Sequence, residues 1–403
     1  MTERILLLQP AFLRLWVAGG LSSALLWLEV LAAALFTLDA TGSALAVALV
    51  SAARSLPLLG FGAVVGVLAD RMDRRLIVLG GLLLTATSSA TVAALASAEI
   101  LRPWELAVAA LASGFAYATE LPARRRMIAE VAPPSLLGRA IAIDSLTNFA
   151  TRCAGPLLGG FLYGGIGTAG TFSASAAASL IGAALIAGLP RTRSAMPPDH
   201  PAEHPAIWAQ LREGAAFAAS RPAVRTMLGV TMAMNLFGYA YTTLIPPMGR
   251  AAFGLTDSQI GVLAAAEPGG ALLAGVVFAR WAPTRRPLAW LAGGVVTLML
   301  GLLMAGLLPT EAAVLAALFV GGFGSASFTN HQSTIALRAT PEALRSRVMG
   351  LVTACIGLWP VGILVAGGLT AVLSAAHAMT ALGVAGLVAL VAAVALGRDR
   401  RAR

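Results

Sequence analysis

Apolar runs of about 20 residues or more recur along this chain, separated by short polar turns. None alternates strictly between apolar and polar positions, so the runs read as helices rather than strands. Twelve can be drawn, at 12–38, 43–68, 75–97, 104–123, 136–164, 167–189, 222–248, 256–279, 287–308, 310–337, 344–372 and 374–397. Helices of this length suit the ~30 Å hydrocarbon core of a bilayer, and several are long enough to tilt or protrude. The pattern breaks once, at 191–220, where Met-Pro-Pro-Asp-His-Pro-Ala-Glu-His-Pro (196–205) cannot be a span. Ile207, Trp208, Leu211, Ala215 and Phe217 follow, spaced as one apolar face of a short helix, with Arg212 and Glu213 opposite. The pattern therefore predicts an all-α membrane protein: a six-helix bundle at 1–190, a linker with an interfacial helix at 191–220, and a second six-helix bundle at 221–403. His200 and His204 read as solvated linker residues rather than metal ligands.

Composition supports the bilayer as solvent. Of 403 residues 58% are hydrophobic and 11% charged, more apolar surface than a water-soluble fold of this length can hide. The formal net charge is +10, and the 28 basic residues are all Arg. They alternate from loop to loop instead of forming one patch, which argues against a nucleic-acid partner. One set of loops and ends carries Arg4, Arg14, Arg71, Arg74, Arg75, Arg124–Arg126, Arg139, Arg191, Arg193, Arg212, Arg221, Arg225, Arg280, Arg285, Arg286, Arg338, Arg345, Arg347 and the tail arginines. The other set holds Arg102 and Arg250. That asymmetry predicts both termini in the cytoplasm and an even number of spans. The all-Arg, Ala/Gly/Leu-rich composition suggests a GC-rich bacterial genome, and the place expected for such a chain is the bacterial inner membrane. The first apolar run is expected to be a retained helix rather than a cleaved leader. Cys153 and Cys355 both fall inside spans, so neither a disulfide framework nor a zinc site is expected. The chain has no Lys and no phosphate-cradling glycine loop, which argues against ATP-driven work. No catalytic constellation, metal site or cofactor is expected.

A weak internal repeat is visible. Pro57 and Pro268 lie 211 positions apart, as do Arg74-Arg75 and Arg285-Arg286, while Arg139 and Arg347 lie 208 apart. A near-constant offset points to two related six-helix halves.

The stretch from Gly66 to Arg75 reads Gly-Val-Leu-Ala-Asp-Arg-Met-Asp-Arg-Arg between two apolar runs. Five charges cannot lie in hydrocarbon, so this is a tight turn at a membrane face. It resembles the loop between helices 2 and 3 of major facilitator superfamily transporters. In the fifth span, Gly155-Pro-Leu-Leu-Gly159-Gly160 resembles the Gly-Pro-x-x-Gly-Gly motif of that family's antiporters, Pro156 included. Leu38-Asp-Ala-Thr-Gly-Ser43, Ala53-Arg-Ser-Leu-Pro57, Leu121-Pro-Ala-Arg124 and Arg345-Ser-Arg-Val-Met-Gly350 are similar to the branch of enterobactin-exporter and macrolide-efflux proteins, the drug:proton antiporters. The resemblance implies a cytoplasmic gate at Gly66, Asp70, Arg71, Arg74 and Arg75, with Asp70 at the N-terminus of helix 11 and Arg74 paired to Glu120 on helix 4. Two departures stand out. Asp73 replaces the usual Gly, and Ala107–Gly114 contains no Arg where many drug exporters have one.

Glu29, Arg54, Arg152 and Glu267 fall near the middle of spans, where an ionised group costs about 2.5–3.5 kcal/mol on insertion scales. Pairing Arg54 with Glu29 and Arg152 with Glu267 around a central cavity would offset that cost and supply carboxylates for proton coupling. Tyr117, Asn235, Tyr239, Asn330, His331 and Gln332 are polar groups in spans that could bond a substrate or a neighbouring helix. The expectation is a monomeric, non-enzymatic secondary transporter. Its partners would be a small-molecule substrate, protons and the surrounding membrane lipids. By resemblance it exports amphipathic drugs, siderophores or secondary metabolites; a lipid or lysolipid flippase, or an importer of the same fold, is the alternative.

Overall fold

The computed structural model describes residues 6, 8–71, 73–190, 207–281 and 285–397, with side chains at all of these except 58–71, 134, 207–211, 279, 281 and 343. Among the described residues all regular structure is helical. In order these are α1 (Pro10–Thr41), α2 (Ala44–Arg71), α3 (Arg74–Ser97) and α4 (Pro103–Val131). A continuous run, Leu137–Ala187, follows; Gly167 (φ 66°, ψ −174°) breaks it into α5 (137–166) and α6 (168–187). Next come α7 (Ile207–Ser220), α8 (Pro222–Ala233), α9 (Ile245–Phe253), α10 (Asp257–Trp281), α11 (Pro287–Leu307) and α12 (Glu311–Arg338). The chain closes with α13 (Arg345–Ile356), α14 (Trp359–Leu369) and α15 (Ala375–Gly397).

Every apolar run drawn from the sequence is helical, and two are interrupted. Between α8 and α9 the chain passes through a π turn at Met234–Gly238 and a 3-10 turn at Ala240–Leu244. Pro246 and Pro247 have no N–H to give the preceding turn, so the α ladder cannot run through and a new helix starts at Ile245. Pro360 does the same between α13 and α14. Pro10, Pro103, Pro222 and Pro287 open other helices, where a missing N–H costs nothing. Gly42 and Gly254 close α1 and α9 in the left-handed conformation, φ 63° and 62°, which glycine adopts without strain. Asp73, the departure from the family turn, caps α3: its side chain accepts from Arg75 N at 3.0 Å.

Large apolar side chains cover the outside. Phe161 is 68% exposed, and Val388, Val391 and Leu396 on α15 are exposed to a similar degree. With long apolar helices this is the surface of a multi-pass membrane protein.

Contacts divide the chain into two units, one holding Met1–Pro197 with Leu255–Ala265, the other Pro198–Gly254 with Ala266–Arg403. In the first, Phe12, Leu15, Val78, Leu82, Met127, Ile128 and Ile186 form a core near the arginine-bearing ends of α1 and α3–α6. Ala33, Val50, Val92, Leu106 and Phe172 form another towards the opposite end. The Gly-Pro-x-x-Gly-Gly segment of α5 is wedged between two helices. A Cβ on Gly159 would lie 2.8 Å from Leu28 O on α1, and one on Gly160 would lie 2.5 Å from Asp257 O at the start of α10. Gly261 answers from α10, where a Cβ would lie 2.7 Å from Pro156 O. The glycines let backbones touch on both sides of α5.

In the second unit, Ala271, Ala274 and Ala326 join α10 to α12, with Phe278 and Phe323 packed against them. An ion pair between Glu213 and Arg347 ties α7 to α13. The inner face of α7 is Gly214 and Ala218, with Phe217 half-buried; Ala215 is exposed, one step round from the face expected. Ile207, Trp208 and Leu211 lie outside the described side chains, and His200 and His204 outside the described residues.

The repeat is deeper in the structure than in the sequence. Arg14 donates to Gly188 O at the end of α6, and Arg225, 211 positions on, donates to Leu396 O at the end of α15. Each puts a cation on the exposed carbonyls of a helix C-terminus. Short 3-10 turns at Pro134–Leu136 and Glu342–Leu344 precede α5 and α13 at the 208-residue offset.

The packing of α5 is testable. Gly159→Ala and Gly160→Ala should each destabilise the detergent-solubilised protein by about 1–3 kcal/mol through overpacking. Gly165→Ala, whose added methyl meets nothing within 4 Å, should leave the thermal melting curve unchanged.

Candidate functional site

Glu29, mid-way along α1 and 2% exposed, is the meeting point of five helices. Its Oε2 accepts from Arg54 Nη2 of α2 at 3.1 Å and from Ser113 Oγ of α4 at 3.4 Å. Its Oε1 accepts from Ser89 Oγ of α3 at 2.5 Å and from Ser175 Oγ of α6 at 2.6 Å. The expected Glu29–Arg54 pair therefore forms, within a shell of serine hydroxyls. Three hydroxyls and a guanidinium satisfy a carboxylate that the apolar interior would otherwise expel. Gly114 makes the crossing possible, because a Cβ there would overlap the carbonyl of Arg54.

Beside the pair is a cavity of about 10 Å³, room for one water. Leu26, Thr85, Tyr117 and Ser179 line it, together with Ser22, two turns before Glu29 on α1. Arg54 Nη1 and Ser179 Oγ are buried there and bond to no described residue.

Ser22 leads to a second charged cluster. Its hydroxyl donates to Glu120 Oε2 at 2.5 Å. Arg124, one turn further along α4 and 2% exposed, places Nε 3.6 Å from Glu120 Oε1 and pairs through Nη1 with Asp144 of α5. Arg125 Nε approaches Asp144 Oδ2 at 3.9 Å from an exposed position. Asn148 Nδ2 donates to Asp144 O at 2.9 Å, and Ser23 Oγ donates to Asn148 Oδ1 at 3.0 Å. Gly19 leaves the space, since a Cβ there would sit 2.6 Å from Arg124 Cδ. A file of buried polar groups thus runs from Glu29 past Ser22 to Glu120, Arg124 and Asp144.

This geometry corrects one expectation. Arg74 pairs with Glu130, not with Glu120. Ten residues of helix, roughly 15 Å, separate those two acids, so only Glu130 lies level with the turn that carries Arg74. Glu120 is engaged deeper, by Ser22 and Arg124. Arg75 reaches α6, donating through Nε to Ile186 O at 3.2 Å and through Nη2 to Ala187 O. Gly66, Asp70 and Arg71 lie outside the described side chains. Asp144 went unnoticed in the sequence, although an acid inside the apolar stretch Ala140-Ile-Ala-Ile-Asp was the signal. Serines 89, 113 and 175 carry no such signal, because serine is common in spans.

Arg152 in the first unit lies over the ring of Trp27, 5.6 Å from its centroid. Glu267 in the second unit is fully buried and accepts from Tyr241 Oη at 3.1 Å. Tyr241 follows Glu29 by 212 positions, and Gly322 of α12 crosses α10 at the Glu267 carbonyl as Gly114 crosses α2 at Arg54. The two halves thus place a polar pair at the same crossing.

Of the polar residues proposed to meet substrate, Tyr117 lines the Glu29 cavity. Gln332 Nε2 donates to Thr231 Oγ1 at 2.8 Å, and Asn235 Nδ2 to Thr231 O at 2.9 Å. Tyr239 Oη lies 3.1 Å from Ser325 Oγ. His331 is stacked on Trp290 with Nδ1 2.8 Å from Ser327 O, and Asn330 is exposed.

Long apolar helices in two units, with charge buried among them, define a polytopic membrane protein. The chain matches the family model for the Major Facilitator Superfamily over residues 15–361 and 230–403, and it belongs to that family. It is 28% identical over 331 residues to YfiS of Bacillus subtilis (strain 168), an uncharacterized MFS-type transporter, covering 80% of this chain and 73% of the relative. It is 29% identical over 282 residues to the enterobactin exporter EntS of Escherichia coli O1:K1 / APEC, covering 67% of this chain and 66% of that one. Among solved structures, a bacterial homologue of the human lysosomal transporter Spinster, inward-facing and unoccupied, is similar with a TM-score of 0.73 at 16% identity, over 96% of this chain and 95% of that one. The nucleoside transporter NupG is similar with a TM-score of 0.68 at 15% identity, over 97% and 100%. Likeness at these identities shows the fold alone.

Glu29→Gln should cost about 3–5 kcal/mol, because it leaves the buried Arg54 guanidinium without its counter-charge. Adding Arg54→Gln should recover part of that loss, and Ser175→Ala alone should cost about 1 kcal/mol. Thermal unfolding of the purified variants, run as a double-mutant cycle, measures all three.

Proposed function

We propose that this chain is a proton-coupled secondary transporter that exports amphipathic small molecules by alternating access. The observation that carries the reading is the file of buried ionisable groups in the first unit. In a bundle that could be packed with alanine and leucine, Glu29, Arg54, Glu120, Arg124 and Asp144 each carry an insertion penalty, and such groups mark ion paths. Glu120 and Asp144 share the buried Arg124 guanidinium, Arg125 reaches Asp144 only from an exposed position, and in this reading Glu120 carries the exchangeable proton. Ser22 links this site to the Glu29 cavity. In this reading Glu29, Arg54, Arg152 and Glu267 border the central cavity, and Arg74 with Glu130 belongs to the gate formed with Gly66, Asp70, Arg71 and Arg75 on the cytoplasmic side.

Export is favoured by two things. The Gly-Pro-x-x-Gly-Gly segment resembles that of antiporters, and one relative is named as the exporter of a siderophore. The tight contact of Gly159 with α1 and of Gly160 with α10 gives the segment a mechanical role, since close-packed glycine crossings let helices slide without a side-chain barrier.

The test is substrate-stimulated proton movement in proteoliposomes, with a panel of amphipathic dyes and catechol siderophores presented to the native chain, Glu120→Gln and Asp144→Asn. The native chain should extrude at least one of these while protons move inward. Each variant should lose pH-gradient-driven extrusion by at least ten-fold while still exchanging substrate down its own gradient. Extrusion that ignores the pH gradient overturns proton coupling, and uptake in place of extrusion overturns export.

A further inference from the structure

In the second unit α10, α11 and α12 enclose a groove of about 730 Å³. Arg285 and Arg286 stand at its mouth, Phe278 and Trp290 form its walls, and it extends to Thr297. The eleven helical residues from Pro287 to Thr297 cover roughly 16 Å, about half of the ~30 Å hydrocarbon core. The groove is therefore one leaflet deep, with both arginines at its outer end.

Its shape comes from glycine. A Cβ on Gly294 would lie 2.5 Å from Gly324 O, so α11 and α12 meet backbone to backbone at the floor. One residue earlier, Gly293 is exposed, and a Cβ there would meet nothing within 4 Å, so that flank is a bare trough. The wall beside it is rigid. Trp290 stacks on buried His331 (6.0 Å between centroids, 13°) and meets Phe278 edge-on at 6.2 Å. Yet Trp290 stays 43% exposed, and its indole N–H donates to no described residue. No carboxylate among the described residues pairs with Arg285 or Arg286.

We propose that this groove binds one anionic phospholipid from the leaflet on the arginine-bearing face. The phosphate and acidic headgroup meet the two guanidiniums and the Trp290 N–H, and an acyl chain lies along the Gly293 flank towards Thr297. Charge and shape select this occupant together. A water-soluble anion has no use for a 16 Å apolar trough, and a zwitterionic headgroup brings a cation with no carboxylate at the mouth to receive it. The site is distinct from the proton path proposed above and does not depend on it.

Native mass spectrometry of the full chain in detergent, titrated separately with dioleoyl-phosphatidylglycerol and dioleoyl-phosphatidylcholine, tests the proposal. One phosphatidylglycerol should be retained per chain in preference to phosphatidylcholine. Arg285→Gln and Arg286→Gln should each weaken retention roughly five-fold, in line with about 1 kcal/mol per basic residue near a membrane surface. Gly293→Leu, at a position where an added Cβ meets nothing within 4 Å, puts bulk into the trough and should weaken retention as much with both arginines intact. Equal retention of the two lipids overturns the charge selection. Loss in the arginine variants with none in Gly293→Leu assigns the effect to diffuse surface charge and overturns the groove. Competition by glycerol phosphate as effective as that by the lipid overturns the lipid as occupant, and a dimer that Gly293→Leu dissociates shows the groove covered by a second copy.

Discussion

A carboxylate in the middle of an apolar helix has to bring its own solvation with it. Glu29 does so by drawing one donor from each of four neighbouring helices, Arg54 of α2, Ser89 of α3, Ser113 of α4 and Ser175 of α6. Apolar packing alone discriminates poorly between helix neighbours in a membrane, where lipid is as apolar as leucine. Hydrogen bonds to a buried charge discriminate strongly, because any other arrangement leaves a charge unmet. The order of helices in the first unit therefore rests on one side chain to an unusual degree, with Gly114 and Gly159 removing the bulk that would hold α4 and α5 away.

The same constraint reappears with different chemistry in the second unit. Glu267 is buried at the corresponding helix crossing, met by a tyrosine hydroxyl. The end caps are reused almost unchanged, with Arg14 and Arg225 each seated on the last carbonyls of the final helix of its half. The frame is thus duplicated between the halves, with a carboxylate met by an arginine at the crossing in the first and by a tyrosine hydroxyl in the second.

Much of the frame was legible in the amino-acid pattern because span length, turn residues and arginine placement are all set by the bilayer. The Glu29–Arg54 pair could be read because two opposite charges at similar depth in neighbouring helices have few other partners. Depth along a helix could not be read so well: Glu120 was chosen for Arg74, yet Glu130 is the acid at the right level. Nor could the sequence separate a serine that holds a helix from one that merely fills space, or reveal that Gln332 and Asn235 are taken up by Thr231. These depend on which faces meet, and a nearly uniform apolar helix does not announce its faces. The breaks before Pro246 and Pro360 followed from missing N–H groups, but the stretch around them is apolar enough to read as an unbroken span.

The central claim is that the polar file from Glu29 to Asp144 holds a proton that the protein can release. Infrared difference spectroscopy of the purified full-length chain, isotope-labelled at its carboxylates and compared between acid and alkaline buffer, tests this most directly. The account predicts a protonated-carboxyl signal that appears and disappears across the pH range of transport and is removed in Glu120→Gln. Carboxylates that stay ionised throughout that range would contradict it and leave the file a purely structural brace.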